Sequence, residues 1–115
     1  MATRKKSSIA PENLELYLKL LATNPAIERK GDMHPYTSLN GHMFTYLDQT
    51  GTLGIRLPHE EVDAFLAKYN TTPFESYGVV KKDWVRVPDS LLKNTNELKK
   101  YLSMSLESVK SLKPK

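Results

Sequence analysis

The amino-acid sequence predicts an α+β fold in two layers, in which helices cover a five-stranded antiparallel sheet in the order α-β-β-β-α-β-β-α. Seven prolines divide the chain into short segments. Some segments carry apolar residues at helical spacing, and others are rich in strand-forming residues. The predicted strands follow one another through turns too short for the crossover of a parallel sheet, so antiparallel pairing is expected.

Length and composition predict one globular domain. The chain has 115 residues, and its 39% hydrophobic and 26% charged content is that of an ordinary folded protein rather than a disordered one. We expect a flexible basic tail at residues 1–10, a folded domain at 11–112 and a short tail at 113–115. The chain has no cysteine, which excludes disulfides, thiolate metal sites and a cysteine nucleophile. No apolar run suits a signal peptide or a membrane span, so a cytoplasmic protein without membrane contact is expected.

The positive charge is concentrated at the two ends of the chain. The net charge is +4, and residues 7–109 carry a net −2, because three basic residues at each end contribute +3. These six residues are Arg4, Lys5, Lys6, Lys110, Lys113 and Lys115. Proteins that bind nucleic acid usually gather their basic residues on one face of the fold. Nucleic acid is therefore a disfavoured partner.

Three segments are predicted to be helices. The first begins at Pro11 and ends near Leu21, the second runs from Pro58 to Asn70, and Asn94 with Glu97 resembles a capping box that starts the third. The inward stripes are predicted to be Leu14, Tyr17, Leu18 and Leu21 in the first helix; Val62, Phe65, Leu66 and Tyr69 in the second; and Leu98, Tyr101, Leu102, Ser105, Val109 and Leu112 in the third.

The strands are predicted from strand-forming residues between turn signals. Residues 26–30 form a weak strand, and residues 36–47 form one long strand. The sequence from Asp48 to Gly51 turns the chain back into residues 52–57, because Asp and Gly suit turns. Residues 74–80 and 84–88 form a second hairpin, with the polar run at 81–83 as its turn.

In this order of elements the chain resembles the TfoX N-terminal domain family, the first domain of TfoX/Sxy-like competence regulators. The resemblance covers roughly residues 11–112 and rests on "GHMFTYL", on "GIRLPHEEVDAFLAKY" and on the segment from "PFESYG" through "WVRVPDSLL" to the closing helix. It implies a fold similar to type III secretion chaperones, frequent homodimers and no established catalytic activity. One departure is Met33-His34-Pro35-Tyr36, where the family often has Met-Phe-Gly-Gly, so a binding role of that segment is not carried over.

The predicted long strand has two apolar faces, which indicates an interface. Strict alternation places His42, Phe44 and Tyr46 on the face opposite to Leu39, Met43 and Leu47. A two-layer domain leaves one face of its sheet to water, so aromatic residues on that face need a cover. A second chain is one candidate, and the chain's own tails or first helix are the other. The predicted interface comprises His42, Phe44, Tyr46, Arg56 and Trp84, and the predicted partner loop comprises Met33, His34 and Tyr36.

No motif in the sequence predicts catalysis, a cofactor or a metal site. His34, His42 and His59 are spaced too unevenly for a helical metal pair, and Glu60 and Glu61 suit a helix N-terminus without any catalytic duty. The sequence therefore predicts a non-enzymatic protein-binding or regulatory module that forms a homodimer and binds a further protein. An accessory nucleic-acid-associated regulator of transcription or competence is the alternative, and a small-molecule or metal enzyme is the least favoured class.

Overall fold

The computed structural model describes residues 11–25, 27–31, 35–39, 41–48, 51–76 and 79–112. Within these ranges, four helices and five strands follow in the order α1 Pro11–Leu21, β1 Tyr36–Leu39, β2 His42–Leu47, β3 Leu53–Arg56, α2 His59–Tyr69, β4 Pro73–Ser76, β5 Val79–Val87, α3 Asp89–Leu92 and α4 Thr95–Lys110. The strands form one antiparallel sheet in the order β1-β2-β3-β5-β4. The predicted fold class is confirmed, with the short α3 as an addition to the predicted order.

One face of the sheet, the inner face, packs against the helices. All four helices and strands β2, β3 and β5 contribute buried residues to a single hydrophobic core. Its fully buried members include Leu47, Leu53, Ile55, Val85, Leu98, Leu102 and Val109. Burial of this apolar surface is the main source of the fold's stability.

The inward stripes of the helices agree with prediction in α4 and differ in α1. In α4 the buried residues are those predicted except Leu112, with Leu106 in addition; Leu112 lies beyond the end of the helix and is partly buried. In α1 the buried residues are Tyr17, Leu20 and Leu21, while Leu18 is 38% exposed. The prediction for Leu18 is wrong because the packed stripe is centred on Tyr17, and Leu20 and Leu21 lie three and four residues further along the same face. In α2 only Phe65 is fully buried, and the rest of its stripe packs partly against the core.

Asn94 caps α4 as predicted, but the reciprocal bond of a capping box is replaced by another contact. The Asn94 side chain accepts a hydrogen bond from the backbone N–H of Glu97 at 3.3 Å. The Glu97 carboxylate accepts a hydrogen bond from the hydroxyl of Tyr69 in α2. Glu97 therefore joins two helices instead of closing its own helix start.

The strand boundaries differ from the predicted ones at three places. Residues 27–30 are not a strand; among the described residues, their backbone pairing with the sheet is the isolated bridge between Lys30 and Tyr36. The predicted long strand is two strands, β1 and β2, because the chain turns at Gly41, whose φ is 83°. The polar run at 81–83 lies within β5 instead of forming a turn; β4 ends at Ser76, β5 begins at Val79, and residues 77–78 lie outside the described residues. Asp83 has a φ of 67°, so this strand bends there instead of ending.

A bulge in β2 changes which side chains face the core. Thr37 pairs with Thr45 while Ser38 pairs with Met43, so Phe44 is an extra residue in β2. Such a residue breaks the alternation of side chains between the two faces. Phe44 and Thr45 are consequently both buried, and Phe44 belongs to the inner core. Its predicted place on the opposite face is wrong.

Three buried hydroxyls join α1 to the first two strands. The Tyr17 hydroxyl lies 2.7 Å from Thr45 Oγ1, which lies 2.6 Å from Thr37 Oγ1. All three residues are fully buried. Burial raises the pKa of Tyr17 to about 12, and the hydrogen bonds from Thr45 and Thr37 and the charge of Arg29 oppose that rise.

Candidate functional site

The face of the sheet turned away from the inner core, the outer face, carries a distinct set of side chains. Leu53 and Ile55 point into the core, so Gly54 and Arg56 point outward from the same strand. Gly54 pairs with Tyr46 on one side and with Arg86 on the other. Arg56 pairs with Trp84. Opposite residues of an antiparallel pair share a face, so these side chains are neighbours on the outer face.

Three rings form the centre of the outer face. The ring centroids of Tyr46 and Phe74 lie 6.2 Å apart, and those of Phe74 and Trp84 lie 6.0 Å apart. Phe74 comes from the edge strand β4, and its ring lies over Gly54: a Cβ added to Gly54 would approach the ring to 2.6 Å. Only glycine leaves room for the ring at that position.

Two of these three rings, those of Phe74 and Trp84, are already covered within one chain. Phe74 is 1% exposed and Trp84 is 8% exposed, although neither belongs to the inner core. The accessible part of the outer face consists of half-buried Tyr36, Tyr46 and Arg56 and of exposed Met43 and Arg86. Exposed Val80 lines the cleft beside Phe74.

A cleft of about 410 Å³ opens at this surface. Asp48, Glu75 and Arg86 provide its charged groups, Thr52 and Thr72 its hydroxyls, and Pro73, Phe74 and Val80 its apolar wall. Asp48 also holds the turn after β2, because its carboxylate accepts a hydrogen bond from the backbone N–H of Thr52 at 3.0 Å. The cleft thus places two carboxylates and one guanidinium beside the aromatic centre.

The outer face brings together only part of the predicted interface. Tyr46, Arg56 and Trp84 lie there as predicted, whereas Phe44 lies in the inner core. His42 pairs with Leu39, which packs against the core, so the bulge also moves His42 to the inner side and Met43 to the outer side. These two corrections have one cause, the extra residue in β2.

The predicted partner loop is only partly described. Tyr36 pairs with Tyr46 and therefore lies on the outer face rather than in a separate loop. Met33 and His34 lie outside the described residues.

Sequence reasoning missed Phe74 and Arg86 as members of the surface. The signal for Phe74 was Gly54, because a glycine inside a strand often marks the close approach of another group.

The signal for the turn before β2 was the dipeptide Asn40-Gly41, which is a strong hairpin signature. Recognising that turn would have divided the long predicted strand correctly.

A second cluster of polar side chains joins α2 to α4. The Tyr69 hydroxyl donates to Glu97, and it lies 3.1 Å from the Tyr101 hydroxyl. Burial and the bond to Glu97 raise the pKa of Tyr69, and the bond from Tyr69 lowers the pKa of Glu97. Both shifts move the pKa values further from neutral pH, which is unfavourable for proton transfer. The cluster therefore acts as a link between helices.

A further pair of titratable side chains lies at the beginning of α2. His59 Nδ1 lies 2.9 Å from Asp83 Oδ1 at the beginning of α2, and the His59 side chain is 81% exposed. Within the described ranges, no three histidine, aspartate or glutamate side chains gather closely enough to hold a metal ion. In the same ranges, no helix has the length and apolar character to cross a bilayer.

Comparison of the chain with protein-family models, with curated proteins and with solved structures finds no match.

Proposed function

We propose that this chain is a non-enzymatic protein-binding or regulatory module, similar to the TfoX N-terminal domain, that forms a homodimer through its outer face. One observation carries the proposal. Accessible Tyr46, Val80 and Arg86 lie beside the Phe74 ring, which is packed against Trp84 within the single chain, and exposed Met43 lies on the same face. Tyrosine, methionine and arginine are enriched in protein interfaces, and a rigid base under them lowers the entropy lost on binding.

The arrangement of the outer face suits a protein partner better than a small substrate. Its Phe74 and Trp84 rings are buried against each other, and the charged groups of the cleft lie beside them. Protein interfaces likewise combine apolar groups with polar groups around them. The groups with shifted pKa values, Tyr17, Tyr69 and Glu97, belong to the core and to the link between helices. A catalytic centre would gather such groups in a cleft.

Sedimentation equilibrium on the purified chain tests the homodimer. We expect a dimer at micromolar concentration, and we expect Tyr46→Glu to make it monomeric while far-UV circular dichroism stays unchanged. Each chain of a two-fold interface contributes the same residue, so one substitution places two charges in the contact. Lys99→Glu, at an exposed position on α4, is the matched control and leaves the dimer intact.

A monomeric wild type at high micromolar concentration contradicts the homodimer. Dissociation by Lys99→Glu to the same extent as by Tyr46→Glu contradicts the choice of the outer face.

The second candidate is a nucleic-acid-associated regulator. Arg56 and Arg86 lie with Tyr36 and Tyr46 on one sheet face, and sheets with aromatic and basic side chains bind single strands by stacking and phosphate contacts. Asp48 and Glu75 beside Arg86 oppose this function, as does the burial of Phe74 and Trp84. Fluorescence anisotropy with a labelled oligonucleotide tests it: binding that falls steeply with salt and is weakened by Arg86→Ala favours this candidate.

A further inference from the structure

Helices α2 and α4 are held together where α2 ends and α4 begins. There the rings of Phe65 and Tyr69 from α2 lie against the ring of Tyr101 from α4, with centroid distances of 5.0 and 5.7 Å. The Tyr69 hydroxyl also donates to Glu97, in the first turn of α4. Large side chains therefore fill the space between the two helices at this end.

Towards the start of α2, smaller side chains leave a groove between the same two helices, the α2–α4 groove. Met104 and Ser108 follow Tyr101 at intervals of three and four residues, so they lie on the side of α4 that faces α2. Together with Leu112 and the residues that begin α2, they line a space of about 710 Å³. Ser108 fills much less volume than Tyr101 does, so the groove stays open at this end.

The wall that α2 contributes to the groove is fixed to the sheet. The backbone N–H of Leu57 donates to the backbone oxygen of Asp83 at 2.8 Å, and His59 Nδ1 lies 2.9 Å from Asp83 Oδ1. These contacts hold the start of α2 against β5. A groove whose wall is already fixed loses less entropy when it binds a partner.

The groove combines apolar and acidic side chains. Its apolar lining is Pro58, Met104 and Leu112. Its charged lining is Glu60, Glu61, Lys100 and Glu107. Lys110 lies 3.3 Å from Glu107 and offsets its charge, so the negative charge is concentrated at Glu60 and Glu61 on α2. A partner that presents apolar side chains flanked by basic ones complements this lining.

We propose that the α2–α4 groove binds a basic amphipathic helix of a partner protein. Residues 104–112 extend over about 12 Å at the helical rise, which matches about two turns of a bound helix. Apolar side chains one turn apart on that helix would enter the groove, and lysine or arginine side chains at its edge would face Glu60 and Glu61. This inference goes beyond the proposed homodimer, because the groove lies among the helices, on the other side of the sheet from the outer face.

Two synthetic peptides test the proposal on the full chain. One is a short helix of leucine, alanine and lysine with its leucines on one face, and the other has glutamate in place of each lysine. We expect the lysine peptide to shift the NMR amide signals of the groove residues, and the glutamate peptide to leave them unchanged. Transferred nuclear Overhauser effects show whether the bound peptide is helical.

Variants of the groove show whether its charge and its open space select the partner. Glu60→Gln combined with Glu61→Gln should weaken binding of the lysine peptide about fivefold, because two exposed charge pairs are lost. Glu12→Gln is the matched control, since Glu12 is an exposed acid in the first turn of α1, and binding should not change. Ser108→Phe should fill the groove and prevent binding. Circular dichroism checks that each variant remains folded.

Four results would overturn the inference. Signals shifted at the outer face instead of the groove would place the binding elsewhere. Equal binding of the two peptides would show that the groove does not select a basic partner, and a bound peptide without helical contacts would show that the occupant is not a helix. Unshifted groove signals at about 1 mM lysine peptide, where even a weak complex is populated, would show that the groove is not a binding site. Each of these results leaves the homodimer standing, because sedimentation of the chain alone tests it.

Discussion

The two faces of the sheet are buried by different means. The inner face is mainly aliphatic, and side chains from all four helices cover it. The outer face is aromatic at its centre, and Phe74 and Trp84 from strands β4 and β5 cover each other there. The inner face therefore supplies most of the apolar burial that stabilises the fold, whereas the outer face buries two rings and leaves accessible side chains beside them.

Neighbouring positions in β2 give the strongest test of this difference. Phe44→Glu places a charge in the inner core, where Phe44 is 1% exposed, and we expect a loss of about 4 kcal/mol or more, enough to unfold a domain of marginal stability. Tyr46→Glu, on the outer face, should leave the fold intact. Chemical denaturation followed by circular dichroism compares the two. A folded Phe44→Glu variant would show that the bulge does not turn this side chain inward.

Truncating a leucine in α4 measures how much one aliphatic side chain of the inner face contributes to the stability of the fold. Leu102 is 1% exposed, so Leu102→Ala should lower the free energy of unfolding by about 2 to 5 kcal/mol. Leu18→Ala in α1 is the control, since Leu18 is 38% exposed and its loss should cost about 0.5 kcal/mol or less. Equal losses from the two variants would mean that the helix faces are assigned wrongly.

The buried hydroxyls provide a smaller and pH-dependent effect. Tyr17→Phe removes the bond to Thr45, and we expect a loss of about 0.5 to 1.5 kcal/mol at neutral pH. The pKa of Tyr17 rises from 10.0 to about 12 in the folded chain, so its stabilising contribution is complete below pH 10 and is lost as the pH rises towards 12. Above pH 10, the free energy of unfolding should therefore fall less steeply with pH in Tyr17→Phe than in the wild type. An identical alkaline profile for the two chains would contradict the burial of this hydroxyl.

The link between α2 and α4 should give the smallest effect, because Glu97 lies at the surface. Its pKa in the folded chain is below the ordinary 4.5, mainly because Tyr69 donates to it. Its contribution is therefore present above pH 4.5 and is lost as the pH falls through the folded value. Glu97→Gln should be slightly less stable than the wild type at neutral pH and equal to it in acid. In a Tyr69→Phe background, the loss of stability caused by Glu97→Gln at neutral pH should be smaller. An unchanged loss in that background would show that Tyr69 and Glu97 do not interact.

The sequence predicted elements that depend on local chemistry, and it failed where a contact distant in sequence decides the outcome. Asn94 and the α4 stripe follow from capping and helical period, and the structure has both. Phe44 and His42 were placed by strict alternation, which an extra residue in β2 reverses. Phe74 lies in the edge strand β4 and Gly54 lies in β3. Their contact therefore depends on β5, which lies between these two strands and pairs with both. Gly54 signals that another group approaches closely, but no local pattern identifies Phe74 as that group.

The contact between Gly54 and Phe74 also constrains redesign of this protein. A side chain at position 54 would collide with the ring, since an added Cβ would lie 2.6 Å from two ring atoms of Phe74. A smaller residue at 74 would remove the collision but leave Trp84 and Tyr46 without the ring that lies between them. A mutational library that varies the two positions one at a time should therefore find both intolerant. A library that varies them together should recover pairs in which a small side chain at 54 is matched by a shorter apolar residue at 74.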